Sequence, residues 1–450
     1  MELRKENKMG TESILKLIIT MSLPSIFSML VQALYNIVDS IFISFYSENA
    51  LTAVSLAFPV QMLMMSIAIG TSVGVNSLVS RRLGEKRFDD ASSAATHGLI
   101  LNFISWLTVA ILGLLFIRPY FNLFQLDPLT LEYACNYTYI VVIASFGIFL
   151  QISIEKILQA TGNMIIPMIL MLIGSITNVV LDPIMIFGYL GFPAMGAVGA
   201  AIATVCGQIL AMIVSFFFLF CKKHDVSIRL CGFHFEKRTV LDIYKVGLPS
   251  IIMQSISSLM ITLFNMILAV FSELAVTVLG VYYKLQSFVF MPVFGLTHGL
   301  MPIMGYSFGA KNKARLNRAI FLGSVFAFSI MLLGTLLFCL IPEQLLQIFN
   351  ADNALLEIGV PALRIISICF PSAALSIVFS TLFQAVGEGR YSLYISAFRQ
   401  LLFLLPSAYL LSKISLFFVW FAFPISEFIA LLFTFFLYSR LKKNAFNDLK

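Results

Sequence analysis

Long apolar runs separated by short charged breaks dominate this chain of 450 residues. Most runs reach the roughly 20 residues that a helix needs to cross about 30 Å of hydrocarbon. Read between the breaks, they predict spanning helices near 14-43, 50-80, 91-117, 131-157, 164-187, 193-221, 240-270, 275-307, 316-341, 356-382, 390-411 and 415-439. A β-barrel would instead show short alternating segments, which this sequence lacks. The pattern predicts an all-α polytopic membrane protein with twelve transmembrane helices. The second and eighth runs exceed what a bilayer needs, so they should tilt, bend at Pro59 and Pro292, or project beyond the membrane.

The spans repeat. Shifting the chain by 225 residues brings Leu23-Pro24-Ser25-Ile26 onto Leu248-Pro249-Ser250-Ile251 without a gap, and the match continues to about residue 162. Gln61 meets Gln286, Gly70 and Gly74 meet Gly295 and Gly299, Gly84 meets Gly309, and Asp127 meets Asp352. Gln159-Ala160 with Gly162 meets Gln384-Ala385 with Gly387. Aliphatic coincidences mean little in so apolar a chain, but matched Gly, Pro, Gln and acidic positions point to duplication. Six spans per half is an even number, so the predicted arrangement is two parallel-repeat six-helix bundles. The corresponding domains are an N-terminal lobe at 1-221, a cytoplasmic linker at 222-239 and a C-terminal lobe at 240-450.

Composition adds orientation. Residues are 60% hydrophobic and only 11% charged, and 29 Lys and Arg against 22 Asp and Glu give a net charge of +7. With the N-terminus inside, most of the basic residues fall in cytoplasmic segments and only Arg118 and Lys413 outside, so both termini are expected in the cytoplasm. Anionic membrane lipid accounts for the positive charge, and no nucleic-acid partner is needed. The cysteines Cys135, Cys206, Cys221, Cys231, Cys339 and Cys369 show neither CxxC pairs nor metal spacing and read as small apolar fillers. No GxxxxGK[ST] phosphate loop occurs, so ATP is not indicated and no cofactor is expected. His97 and His298 offer no nucleophile and base pair, so an embedded enzyme is disfavoured.

Ionisable residues inside spans are costly and mark candidate sites. In the first span Tyr35, Asn36 and Asp39 share a face, and in the fifth Asn178 and Asp182 lie one turn apart. Pro183 lacks an N–H, which frees the carbonyl of Val179 near Asp182. The fourth span carries Gln151, Glu155 and Gln159 in steps of four. Under the repeat, Asp39 falls on Phe264, Glu155 on Ser380 and Asp182 on Ser407, so these carboxylates belong to the first lobe alone. A cation site in one lobe explains that asymmetry, and carboxylates, amides and a phenol suit a hard cation or a proton. The structural alternatives are interhelical hydrogen bonding for Asp39 and Asp182, and a solvated helix end shared with Lys156 for Glu155. Lys284, His298, Arg364, Arg399 and Glu427 are second-lobe candidates, where a pair such as Arg399 with Glu427 serves structure. His97 is expected at the interface. Gln61, Gln159, Gln286 and Met291 are candidates to line a substrate cleft; for most of the 44 Phe and 20 Met, lipid contact and packing suffice.

The Leu23-Pro24 opening, the Tyr35 to Asp39 segment, Arg82-Leu83-Gly84, and Asn178 to Gly188 followed by Gly196 to Thr204 resemble the multidrug and toxic compound extrusion transporters over nearly the whole chain. Glu155 ahead of Gln159 to Gly162 looks most like the bacterial branch bearing a helix-four acid. The resemblance implies a monomeric protein of the bacterial cytoplasmic membrane. It would export organic cations or amphipathic drugs in exchange for Na+ or H+. It also implies cation binding by Tyr35, Asp39, Asn178 and Asp182, and by Thr204 if the preceding loop differs in length from the family's. Asn36 joins this set from its place beside Tyr35 and Asp39, and Asp39, Asn178 and Asp182 are the expected metal ligands if the ion is Na+. The main rival is a flippase for a lipid-linked saccharide or other amphiphile, which favours a basic cleft rather than an acidic first lobe.

Overall fold

The computed structural model describes residues 7–450 apart from 125, 222–224, 230–232, 350, 447–448 and 450. The side chains of residues 36, 37, 39–41, 43, 44, 48 and 51 also lie outside the described set. The described residues form helices joined by short turns and contain no strand. A short α1 (Lys8–Thr11) precedes α2 (Ile14–Tyr46), α3 (Glu48–Gly84), α4 (Phe88–Asn122), α5 (Pro128–Ile143), α6 (Phe146–Ala160), α7 (Ile165–Phe187) and α8 (Ala197–Cys221). The second half holds α9 (Lys237–Ala269), α10 (Glu273–Gly309), α11 (Lys313–Leu340), α12 (Pro342–Gln347), α13 (Asn353–Ser367) and α14 (Phe370–Ala385). It ends with α15 (Gly389–Ala397), α16 (Leu405–Ser412), α17 (Leu416–Val419) and α18 (Ala422–Ala445).

Among the described residues ten helical stretches are long and apolar enough to span a membrane, and counting each of two bent pairs as one span gives 12. The bent pairs are α5 with α6, at 42°, and α13 with α14, at 48°. Each bend interrupts a run that the sequence pattern reads as one span. The break falls at Ala144-Ser145 in one repeat and at Ile368-Cys369 in the other. The two long helices α3 and α10, at 37 residues each, are about 55 Å long at 1.5 Å per residue and exceed the hydrocarbon thickness. Both run on through Pro59 and Pro292.

The duplication is visible in backbone detail. Helices α3 and α10 begin and end 225 residues apart, and Lys86 and Lys311, which follow them, both adopt positive φ at 60° and 56°. Gly162 and Gly387 do the same at 88° and 89°. Asp127 and Asp352 each cap the next helix, accepting from the backbone N–H of Thr130 and of Leu355 at 2.8 Å. Hydrogen bonds from Thr130 hold the Asp127 carboxyl below the usual carboxylate range. Its cap therefore contributes at neutral pH and fades as pH falls through that lowered value. Replacing Asp352 by Ala is expected to cost about 1 kcal/mol, read as a lower midpoint in detergent denaturation with the helical signal at neutral pH otherwise retained.

Two compact units emerge from the packing. One comprises residues 1–26, 84–86 and 252–450, the other 27–83 and 87–251. In each chain half the boundary falls just after the Leu-Pro-Ser-Ile motif, at Ile26 and at Ile251. The matched glycines explain the grouping. A Cβ on Gly70 or Gly74 of α3 would meet the backbone nitrogens of Ile251 and Gly247 at 2.8 and 3.1 Å. A Cβ on Gly295 or Gly299 of α10 would meet those of Ile26 and Ser22 at 2.6 and 3.0 Å. Each long helix thus packs backbone to backbone on the start of the opposite repeat's first helix. Larger residues would overfill that contact.

Part of the segment between the repeats lies along α4. Ser227 and Arg229 donate backbone N–H groups to the hydroxyls of Ser92 (3.1 Å) and Thr96 (3.2 Å). His97, expected at the interface, is buried under this segment: its Nε2 accepts from the Glu236 N–H at 2.9 Å and its ring packs on Phe233. Arg82 and Asp242 form an ion pair at 3.5 Å in the same unit. The cysteines among the described residues are all free thiols.

Candidate cation site in the first repeat

The fifth and sixth spans, α7 and α8, form a closely packed hairpin. Gly188 ends α7 in the left-handed region at φ 78°, and the following turn returns to cap it. There the N–H groups of Met195 and Gly196 bond the carbonyls of Met185 (3.0 Å) and Ile186 (3.2 Å). Farther along the hairpin a Cβ on Gly207 would stand 2.7 Å from the Gly174 carbonyl oxygen and 3.5 Å from the Asn178 Cβ. Only a residue without a Cβ lets α8 approach α7 this closely.

That proximity assembles three side chains. Asn178 and Asp182, one turn apart on α7, are 2% and 0% exposed. The Asn178 amide orientation that satisfies both its ends has Nδ2 donating to Asp182 Oδ2 at 3.0 Å. Its oxygen then accepts from the Thr204 hydroxyl, also at 3.0 Å. Helix α7 continues through Pro183, so the Val179 carbonyl has no N–H at its usual helical partner position. A carboxylate, an amide, a hydroxyl and a backbone carbonyl are all hard oxygen donors, the kind preferred by alkali cations and protons over soft metals. Among the described residues no cluster of three or more His, Cys, Asp or Glu forms a transition-metal site.

The other expected site residues have separate surroundings. Tyr35 is half-buried on α2, which is continuous through residues 35–39, while the side chains of Asn36 and Asp39 lie outside the described residues. Glu155 is buried on α6 and accepts from Gln151 Nε2 at 2.9 Å. Lys156 beside it is also buried and donates to Gln159 Oε1 at 3.0 Å, and its carbonyl accepts from Asn76. The solvated helix end weighed for Glu155 is thus not what forms. Gln61 donates to the Tyr137 hydroxyl at 2.9 Å, which ties α3 to α5. Gln286 and Met291 are half-buried on α10. Tyr137 and Asn76 carry no charge and sit among other polar residues such as Asn136, Thr138, Ser72 and Ser80, so their sequence surroundings do not mark them out, and their partners lie on other helices.

In the second repeat, Arg399 donates to Glu427 at 2.9 Å. Arg364 Nε donates to the Cys339 carbonyl at 3.2 Å, and Lys284 Nζ sits 5.8 Å from the centre of the Phe349 ring.

Comparison with known proteins agrees with this architecture. The FAD transporter of Shewanella oneidensis is 28% identical over 403 residues, covering 89% of this chain and 88% of the relative. The multidrug export protein MepA of Staphylococcus aureus is 26% identical over 384 residues, covering 84% and 83%. A multidrug resistance MATE family transporter of the MOP superfamily, solved in an outward-facing conformation, matches with a TM-score of 0.93 at 28% identity. That match covers 99% of this chain and 100% of the solved one. The MatE family description matches twice, at residues 24–184 and 249–410, with starting points separated by the same 225 residues as the internal repeat. The chain therefore belongs to the MatE family of multidrug and toxic compound extrusion membrane transporters.

Proposed function

We propose that this transporter is a cation-coupled antiporter of the bacterial cytoplasmic membrane, exporting organic cations or amphipathic drugs in exchange for Na+ or H+. The observation that carries this reading is the buried Asp182–Asn178–Thr204 set, whose carboxylate has no counterpart in the second repeat. A carboxylate retained at that depth must be compensated, and a coupling ion that binds and leaves supplies the compensation. Asp39, Asn36 and Tyr35 on α2 complete the ion site in this reading, and Glu155 with Gln151 provides a second titratable acid in the same repeat. Gln61, Gln159, Gln286 and Met291 face the transported molecule. Both termini lie in the cytoplasm, the cargo leaves chemically unchanged, and no cofactor takes part.

MepA supports drugs as cargo. The FAD transporter supports a second cargo class, a flavin nucleotide, in the same architecture. Purified protein in liposomes separates these readings. A fluorescent organic cation is expected to move against its gradient when either a Na+ or a pH gradient is imposed, and the effective gradient identifies the ion. Transport of FAD alone, or transport of the dye with neither gradient required, would overturn the proposal.

A further inference from the structure

We propose that Arg399 and Glu427 form a second ligand site inside the second repeat, one that takes a protonated amine or guanidinium group of the transported molecule. In this site Arg399 is a resident cation that the incoming group displaces. The inference rests on the reading that the chain carries organic cations and names where in the second repeat such a group docks.

Depth comes first. Arg399 lies ten residues beyond the start of α15 and Glu427 eleven beyond the start of α17, each roughly 15 Å along its span at 1.5 Å per residue. That is about half the hydrocarbon thickness. At this depth the Arg399 side chain still retains 25% exposure and that of Glu427 12%. A charge does not face hydrocarbon when it can avoid doing so, so the exposed part of the pair looks into water-accessible space.

Unmet hydrogen-bonding capacity comes next. Arg399 Nη1 donates to Glu427 Oε1 at 2.9 Å, whereas Glu427 Oε2 is buried and accepts from nothing. Gln400 is also buried, and its Nε2 donates to the hydroxyls of Ser396 (2.9 Å) and Ser257 (3.2 Å). Its Oε1 likewise has no donor. The buried Glu427 Oε2, left open beside the Arg399 guanidinium, is an acceptor that a group rich in N–H donors completes, and Gln400 next in sequence to Arg399 holds a second open acceptor. An added anion would meet Glu427, and among the described residues no cluster of three or more His, Cys, Asp or Glu offers a soft metal a site.

Local structure gives the site its form. Arg399 and Gln400 lie in a π-helical turn, Phe398–Leu404, between α15 and α16. Such turns shift the register of side chains by one residue and recur at functional positions. The helices also correspond between repeats. Ser257, Arg399 with Gln400, and Glu427 sit on the first, fifth and sixth spans of the second repeat. The first, fifth and sixth spans of the first repeat carry Tyr35, Asn178 with Asp182, and Thr204. The two sets thus occupy the same three spans, though not the same positions under the 225-residue shift, which sets Arg399 against Gly174 and Glu427 against Ile202. When a substrate ammonium docks on the Glu427 carboxylate, the guanidinium of Arg399 turns toward water, and the pair of charges stays balanced.

Equilibrium binding to the full chain in nanodiscs, with no ion gradient, tests the site. The probes are dansylcadaverine, a primary ammonium, and its trimethylammonium counterpart, which has no N–H. Glu427→Gln is expected to weaken dansylcadaverine binding at least tenfold, and Arg399→Gln to tighten it at least threefold by removing the competitor. The trimethylammonium probe should bind wild type more weakly than the primary ammonium. The double variant R399Q/E427Q, which leaves no lone charge in the membrane, covers the case in which a single variant does not fold. It should bind as weakly as Glu427→Gln and no longer distinguish the two probes. Wild-type binding left unchanged, or lowered alike, by both single variants would show a purely structural pair and overturn this site while leaving the proposed function intact. Wild type binding neither probe would overturn the organic-cation reading itself.

Discussion

Asp182→Asn is expected to abolish gradient-driven transport while leaving the protein inserted and folded. The substitution keeps the shape of the side chain and retains an oxygen to accept from Asn178 Nδ2, which bonds Asp182 Oδ2 at 3.0 Å. What disappears is the charge. A charged hydrogen-bonding partner contributes roughly 1.5–3 kcal/mol, so ion affinity should drop by about 10- to 150-fold. Folding should not suffer, because removing one buried charge from hydrocarbon removes a desolvation penalty along with its favourable contacts. The thermal midpoint in detergent is therefore expected to be unchanged or higher. Dye transport in liposomes should fall to the level of empty vesicles under both Na+ and pH gradients, and Asp39→Asn should do the same. A structural role predicts the opposite pairing, a lower midpoint with transport retained, and full activity in both variants would remove Asp39 and Asp182 from the mechanism.

What the sequence reveals about this fold follows from how local each signal is. Span positions are legible because each is a one-dimensional run of apolar side chains, and the helices begin and end within a few residues of those runs. The repeat is legible because Gly, Pro and Asp mark backbone requirements. Asp127 and Asp352 are caps, Gly162 and Gly387 adopt positive φ, and the paired glycines of α3 and α10 admit a neighbouring backbone. The bend in the tenth span is marked by Pro371 in the first turn after the break, but the bend in the fourth span is less legible. It occurs at Ala144-Ser145 with no proline, and Gly147 two residues on does not interrupt the hydrophobic run. The π-helical turn at Phe398–Leu404 is followed by Pro406, which marks a disturbance there but does not specify the π register. Within the candidate site, Asn178 and Asp182 are legible from their one-turn spacing. The engagement of Thr204 and the pairing of Gln61 with Tyr137 depend on which helices meet, a tertiary fact that residue spacing does not encode.

The closest approach in the site makes the second large prediction. Gly207→Ala places a methyl group where a Cβ would stand 2.7 Å from the Gly174 carbonyl oxygen, a backbone atom that cannot rotate away. Relief requires α7 and α8 to separate, and overfilling of this kind costs roughly 1–3 kcal/mol. The same separation lengthens the 3.0 Å contact between Asn178 and Thr204, so ion affinity should weaken together with stability. Gly207→Leu should overfill the hairpin further and leave little folded protein, visible as early elution and aggregation in size-exclusion chromatography. Gly280 on α10 is the control, because a Cβ there meets nothing within 4 Å. Gly280→Ala should leave both midpoint and transport at the wild-type level. If Gly207→Ala behaved like Gly280→Ala, close approach of the two helices would not be what assembles Asn178, Asp182 and Thr204. The site would then have to be organised from α2 instead, through Tyr35 and Asp39.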